Sequence, residues 1–239
     1  MRTNLLVAVA ACTLLGACDT LDLKRTVSED NLATLHRVGV VSLIGDDLHV
    51  VTRGLTVFGN SAFDATLPEW QIDATAQDRV LADLSRNPAF QSVRLERESL
   101  SIKDLDADEG RALYELAQRQ GFDTVVVVRP GVSQNYAYLP AGVGIFNHTL
   151  PGMSPHPVAY AGFVVSVVSV GERKQKAWEW GGVMPFEMGK ENIVPMHERL
   201  DQFSPDDKTR LRERVVERID KGIDYALVKL HLVPRVESD

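Results

Sequence analysis

The stretch Gly121-Phe122-Asp123-Thr124-Val125-Val126-Val127-Val128 decides the fold. Four consecutive valines leave no polar face for water, so the run reads as a strand covered on both sides. The preceding residues, Glu109 to Gln120, carry Ala112, Leu113, Leu116 and Ala117 at helical spacing, with Asp108 placed to cap the start and Gly121 as the C′ residue. Helix, glycine and doubly buried strand together predict an α/β protein with this strand at the centre of its sheet.

Toward the amino terminus, Val38 to Ile44 is a β-branched run bounded by Gly45-Asp46-Asp47, and Leu48 to Arg53 resumes the same character: a strand, a turn and a strand. Leu55 to Phe58 is a further short strand candidate before the Gly59-Asn60 turn. Between Asp73 and Asn87 the residues Ala76, Val80 and Leu84 recur at helical spacing, and Asn87-Pro88 ends the pattern. Phe90 to Leu95 reads as another strand.

Toward the carboxyl terminus, residues 130 to 157 interleave five prolines and four glycines with Tyr136, Tyr138, Phe146, His148 and His156, which predicts a long loop with at most a short hairpin through Tyr136 and Tyr138. Ala161 to Val170 and Lys176 to Met184 read as an antiparallel pair turning at Gly171 to Lys174. Strand period places Trp178 and Trp180 on one face, either as a buried pair or as an exposed patch. Ser204-Pro205-Asp206-Asp207 then supplies a cap, a proline at the first helical position and two acids, and Leu211, Val215, Ile219 and Ile223 follow at four-residue spacing. The expectation is one α/β (α+β) domain over 38–234, a mixed sheet of about six strands packed by three helices, the last of them long, with a tail at 235–239.

The 239 residues are 44% hydrophobic and 25% charged, enough for one sizeable core, which excludes a disordered, collagen-like or disulfide-scaffold protein. A net charge of −7 argues against nucleic acid as a partner and against electrostatic binding to an anionic membrane. Both cysteines, Cys12 and Cys18, lie at the start of the chain.

That start reads as an address. Arg2 and the α-amino group are the positive region, and Leu5 to Leu15 is an apolar helix too short to span a bilayer at about 1.5 Å per residue. Leu15-Gly16-Ala17-Cys18 resembles the lipobox of bacterial lipoproteins, in which small residues fit the signal peptidase and a thiol accepts the diacylglycerol. Val9 to Cys12 fits more loosely and leaves a shorter apolar region. The resemblance implies a signal peptide at 1–17, lipidation of Cys18 and a tether at 18–37. It also implies an acidic, cysteine-free domain held on the periplasmic side of the bacterial envelope by acyl chains, each buried methylene contributing about 0.8 kcal/mol. Asp19 resembles an inner-membrane retention signal; the outer membrane stays open.

Chemical constellations are few. Gly45-Asp46-Asp47-Leu48-His49 with Gly59-Asn60 resembles the turns of metallophosphoesterases, whose carboxylates and imidazoles hold two metal ions. The chain departs from that family, since no Asp-x-His precedes, Ser61 follows Gly59-Asn60, and no Gly-His-x-His comes later. Asp46 and Asp47 also suit a plain turn. His148 and His156, or His197 with Glu198, lack a ligand spacing. No catalytic residue, cofactor or metal is assigned. Tyr136, Tyr138 and Phe146 are the candidate partner-binding residues, aromatics on a loop being suited to protein recognition or, equally, to covering the sheet.

Ala117, Gly121 and Asp123, ahead of the valine strand and followed by a long loop and an antiparallel pair, resemble the α/β domains of envelope lipoproteins of the curli-secretion type and the amino-terminal domain of TolB, with Phe122 in place of their alanine. That resemblance implies a non-catalytic binding, adaptor or assembly role with an envelope protein partner, reached after passage through the lipoprotein-processing machinery. The alternative is a small-ligand or metal-dependent envelope enzyme built on Asp46, Asp47, His49 and the loop histidines.

Overall fold

A computed structural model describes residues 26–54, 57–97, 100–106, 110–132, 139–148, 157–182, 194–197 and 199–234. The valine run is β5 (Thr124–Pro130), lying between β1 (Arg37–Ser42), to which it is parallel, and β7 (Val158–Ser169), to which it is antiparallel. β4 (Gln91–Arg94) pairs parallel with β1 at one end of the sheet. At the other end β2 (Asp47–Arg53) lies between β6 (Gly142–His148) and β3 (Ser61–Thr66). The order is β3-β2-β6-β7-β5-β1-β4, with β8 (Lys174–Trp180) also on β7.

The long strand β7 joins two ladders. Its first half, Val158 to Gly162, pairs with β6, and its second half, Phe163 to Ser169, pairs with β5. β1 and β2 are therefore not partners although only a few residues separate them. The chain leaves one ladder at Ser42 and enters the other at Asp47, running on in the same sense.

Alternation along each strand sorts the core into layers. Val38, Val40, Val126, Val128, Val165 and Val167 face one way, under α2 (Ile72–Leu84) and α5 (Pro205–Lys229), which bury Ala76, Val80, Leu211, Val215, Ile219 and Ile223 there. Val41, Val125, Val127 and Val168 face the other way, under α3 (Ile102–Asp106) and α4 (Arg111–Arg119), which contributes Leu113, Leu116 and Ala117. On that second side, but beyond the reach of those helices, Val51, Leu139, Phe146 and Tyr160 form a third cluster.

Local chemistry fixes the helix ends. Gly121 stands at φ +75° and closes α4 in a Schellman turn, the Phe122 and Gly121 N–H groups donating to the carbonyls of Ala117 (3.0 Å) and Gln118 (3.0 Å). Ser204 and Asp207 form a reciprocal capping box at the start of α5, with Pro205 in the first turn. The described start of α4 has Gly110 as its N-cap, and Asp108 lies outside the described residues.

The sheet has eight strands where about six were expected, and the excess has identifiable causes. β3 is an edge strand whose residues are mostly exposed, so its apolar signal is weak. Of the strand candidate Leu55 to Phe58, the described part lies in a 3-10 turn, Val57–Gly59, with Phe58 97% exposed. β6 lies inside the segment expected to be loop, because Gly142 and Gly144 suggested irregular backbone. Gly144 is required for strand packing: a Cβ there would overlap the His49 carbonyl oxygen and stand 2.6 Å from the Tyr160 ring. Besides the three expected helices there is the short α3, and the short helix that the sequence allows after Ser28 forms as a single turn, α1 (Glu29–Leu32). The packed structure takes in residues from Val27 onward, since Val27 and Leu35 are buried and Leu32 packs on the core.

Candidate functional site

The acidic turn between β1 and β2 is where the sequence concentrates ligand-like residues, and the fold gives each a separate task. Asp46 Oδ1 accepts the backbone N–H of Ile72 (3.1 Å) and so caps α2 from outside the helix. Burial raises the Asp46 carboxyl above its ordinary pKa, and the Ile72 hydrogen bond opposes that shift. Asp47 Oδ1 accepts the Thr66 hydroxyl (2.7 Å) across the β2–β3 ladder. His49 Nδ1 and Asp64 Oδ1 stand 2.7 Å apart on directly opposed residues of the same two strands. Among the described residues no group of three His, Cys, Asp or Glu side chains is placed to hold a metal ion.

A neighbouring network was not legible in the sequence. Asp73, in the first turn of α2, accepts the Ser42 hydroxyl (2.8 Å) and the Gly45 N–H (3.2 Å), and pairs with Arg97. It holds the crossover between the ladders against the start of α2. Its acidic first-turn position was a signal that could have been read, whereas its partners are far away in sequence.

The second side of the sheet, over β2, β6 and β7, carries the third cluster, and the described residues that flank 133–138 lie against it. Both described ends of that segment are fixed to the sheet. Gly131 N–H donates to the Gly162 carbonyl (3.1 Å), Leu139 is buried in the third cluster, and the Tyr160 hydroxyl donates to the Pro140 carbonyl (3.3 Å). Burial, with a smaller contribution from the Asp64 charge, drives the Tyr160 phenol above its ordinary range. Phe146, expected on a loop, is a β6 residue, 3% exposed and packed in this cluster. Tyr136 and Tyr138 lie outside the described residues, as do Cys18, His156 and Glu198.

The remaining residues disperse. His148 is exposed at the end of β6, stacked at 6.1 Å from Phe146. His197 packs edge-on against Phe203 (4.6 Å) and stands 3.8 Å from Asp207 at the cap of α5. Trp178 and Trp180 share a face, opposite Ser166 and Val164, and both are half-buried. Beside them, a cleft of about 270 Å³ between α4 and β7 is lined by Tyr114, Arg129, Ser166 and Gln175, with no carboxylate among its described lining residues. No helix among the described residues is long and apolar enough to cross a membrane.

No family model matches the chain, and no curated protein matches it. Solved structures with a similar chain course include a Xanthomonas campestris protein described under the family model DUF330 (9% identity, 83% of this chain and 85% of that one, TM-score 0.39). A second is the LpoB C-terminal domain from Salmonella enterica (11% identity, 63% and 83%, TM-score 0.28). A third is the hypothetical protein CT253 from Chlamydia trachomatis (13% identity, 80% and 98%, TM-score 0.33).

Proposed function

We propose that this protein is a lipid-anchored component of the bacterial cell envelope that binds another envelope protein and performs no chemistry of its own. The observation that carries the reading is the run Leu15-Gly16-Ala17-Cys18 behind a short apolar helix with a positive start. Cys18 becomes the acylated first residue after cleavage, and two or three acyl chains hold the domain at the periplasmic face of the membrane. Asp19 favours the inner membrane over the outer.

The partner-binding surface in this reading is the segment with Tyr136 and Tyr138. Its support is the aromatic pair on a Pro/Gly-rich stretch whose flanking residues, 131 and 139–140, are held to the sheet. Phe146, buried in the third cluster, contributes to the sheet and not to the exposed surface. The alternative of a metal-dependent enzyme needs Asp46, Asp47 and His49 to converge, and each is engaged with a different structural partner.

The test has two parts. Cys18→Ala should move the protein from the membrane to the soluble fraction and abolish the acyl mass on its amino-terminal peptide; a variant still membrane-bound sinks the anchor. Tyr136→Ala/Tyr138→Ala should lose crosslinking to its envelope partner while keeping a native thermal transition. Deleting 132–154 would be uninformative, because it removes the interior strand β6.

A further inference from the structure

The described chain begins at a place that orients the whole domain. Val27, 2% exposed, donates its backbone N–H to the Leu230 carbonyl (3.2 Å), just past the carboxyl end of α5. The α2–β4 connection is tied to the same end, since the Asn87 side chain donates to the Leu232 carbonyl (2.9 Å) and Arg86 reaches Asp224 (3.3 Å). Between that connection and α5 runs a groove of about 1000 Å³.

Its walls have a mixed character. Pro88, Val228 and Pro234 are apolar, Arg86 and Lys229 are cationic, and Asp224 is the acidic residue among the lining. Tyr225 is 52% exposed there, with the Lys229 ammonium 5.6 Å from its ring centre. An exposed tyrosine beside cations and short apolar side chains is the composition found where proteins meet lipid headgroups.

Chain length supplies the second argument. From Cys18 to Thr26 the backbone reaches at most about 30 Å even if fully extended, at roughly 3.5 Å per residue. The opposite end of the molecule, with Phe58 at the tip between β2 and β3, lies beyond the start of β7. That strand's twelve residues span about 40 Å. An anchor at Cys18 therefore keeps the α5 end near the bilayer and directs the β2–β3 tip away.

We propose that the groove between Arg86-Asn87-Pro88 and the carboxyl end of α5 seats on the phospholipid headgroups, so that the anchored domain stands on this end and offers its opposite end to the periplasm. The inference rests on lipidation of Cys18 and specifies the orientation that lipidation imposes. Lys229 meets phosphates and Tyr225 sits at headgroup level, while Arg86, paired with Asp83 and Asp224, holds the two walls of the groove together.

The test uses the processed, lipidated protein in phosphatidylethanolamine/phosphatidylglycerol vesicles carrying a headgroup nitroxide quencher. Acylation occupies the Cys18 sulfur and no cysteine follows it, so Ala89→Cys and Phe58→Cys each give a single labelling position for bimane. Quenching at position 89 should exceed that at 58 by about twofold or more, the interfacial depth being roughly 5–10 Å. Lys229→Glu, an exposed substitution, should weaken quenching at 89 while the protein stays with the vesicles. Equal quenching at both positions, or stronger quenching at 58, overturns the orientation while leaving the anchor intact. Protein that lacks the acyl mass and fails to float with the vesicles overturns the anchor, and the orientation with it.

Discussion

His49 and Asp64 face each other across β2 and β3 with Nδ1 and Oδ1 2.7 Å apart, one residue on each strand of a directly opposed pair. A histidine that looks like a metal ligand in the sequence is, in the fold, one half of a cross-strand pair at the edge of the sheet. Asp64 is largely exposed, so the pair contributes at most about 1 kcal/mol. Asp64→Asn should lower stability by no more than that in urea titration. Added zinc should leave the His49 ring resonances unmoved; saturable shifts at His49 on zinc addition would restore the metal reading.

Gly222 reverses the usual rule for glycine in a helix. Alanine at an exposed interior position of α5 would be favoured by up to about 1 kcal/mol. At Gly222 a Cβ would overlap the Gly181 carbonyl oxygen and stand 2.7 Å from the Phe163 ring, where α5 rests directly on the sheet. Gly222→Ala should therefore destabilise by about 1–3 kcal/mol, as overpacking does. A denaturation midpoint at or above the parent value would show that α5 is not seated as closely as described.

Gln77 is buried in α2 and its amide donates to the carbonyls of Leu95 (3.2 Å) and Val40, while its oxygen accepts from Arg94 (2.8 Å). It ties the helix to the edge where β4 leaves β1. Gln77→Leu keeps the volume and removes the hydrogen bonds; the Val40 carbonyl keeps the Leu95 N–H and Arg94 keeps Asp78, so the cost falls on the Leu95 carbonyl, about 1–3 kcal/mol. Amide exchange should quicken in β4 more than in β5; uniform acceleration would mean that the link has no local role.

The capping box at α5 predicts an acid limb in the stability profile. The Ser204 hydroxyl and N–H hold the Asp207 carboxyl below its ordinary pKa, with His197 adding to the effect. A carboxylate with a depressed folded-state pKa stabilises the fold above its unfolded pKa. That contribution fades as pH falls through the lowered value. Asp207→Asn should flatten stability against pH below about 4, the ordinary range of an aspartate, and leave the neutral-pH slope unchanged. An unaltered acid limb in the variant would remove Asp207 from the explanation.

Much of this fold was written locally. The valines of β5 had no polar face, so a covered sheet followed; Gly121 had to take a positive φ; Ser204-Pro205-Asp206-Asp207 started a helix whose apolar stripe recurs every four residues. Each rests on neighbours along the chain, which is why pattern and propensity reach it. The run Leu15-Gly16-Ala17-Cys18, on which the proposed anchor rests, belongs to the same class, since it is read along the chain alone.

Contacts between distant residues were settled only by the tertiary structure. That β1 and β2 belong to different ladders, that the glycine-bearing stretch at 142–148 is an interior strand, and that Asp46, Asp47 and His49 go to three separate partners all depend on which strand lies beside which. Strand pairing is set by the burial of whole faces against helices from elsewhere in the chain, a non-local free energy that no short window contains. The sequence by itself determined most of the elements and carries the run on which the proposed anchor rests; the packing of β7 against both β5 and β6 decided which strands became neighbours.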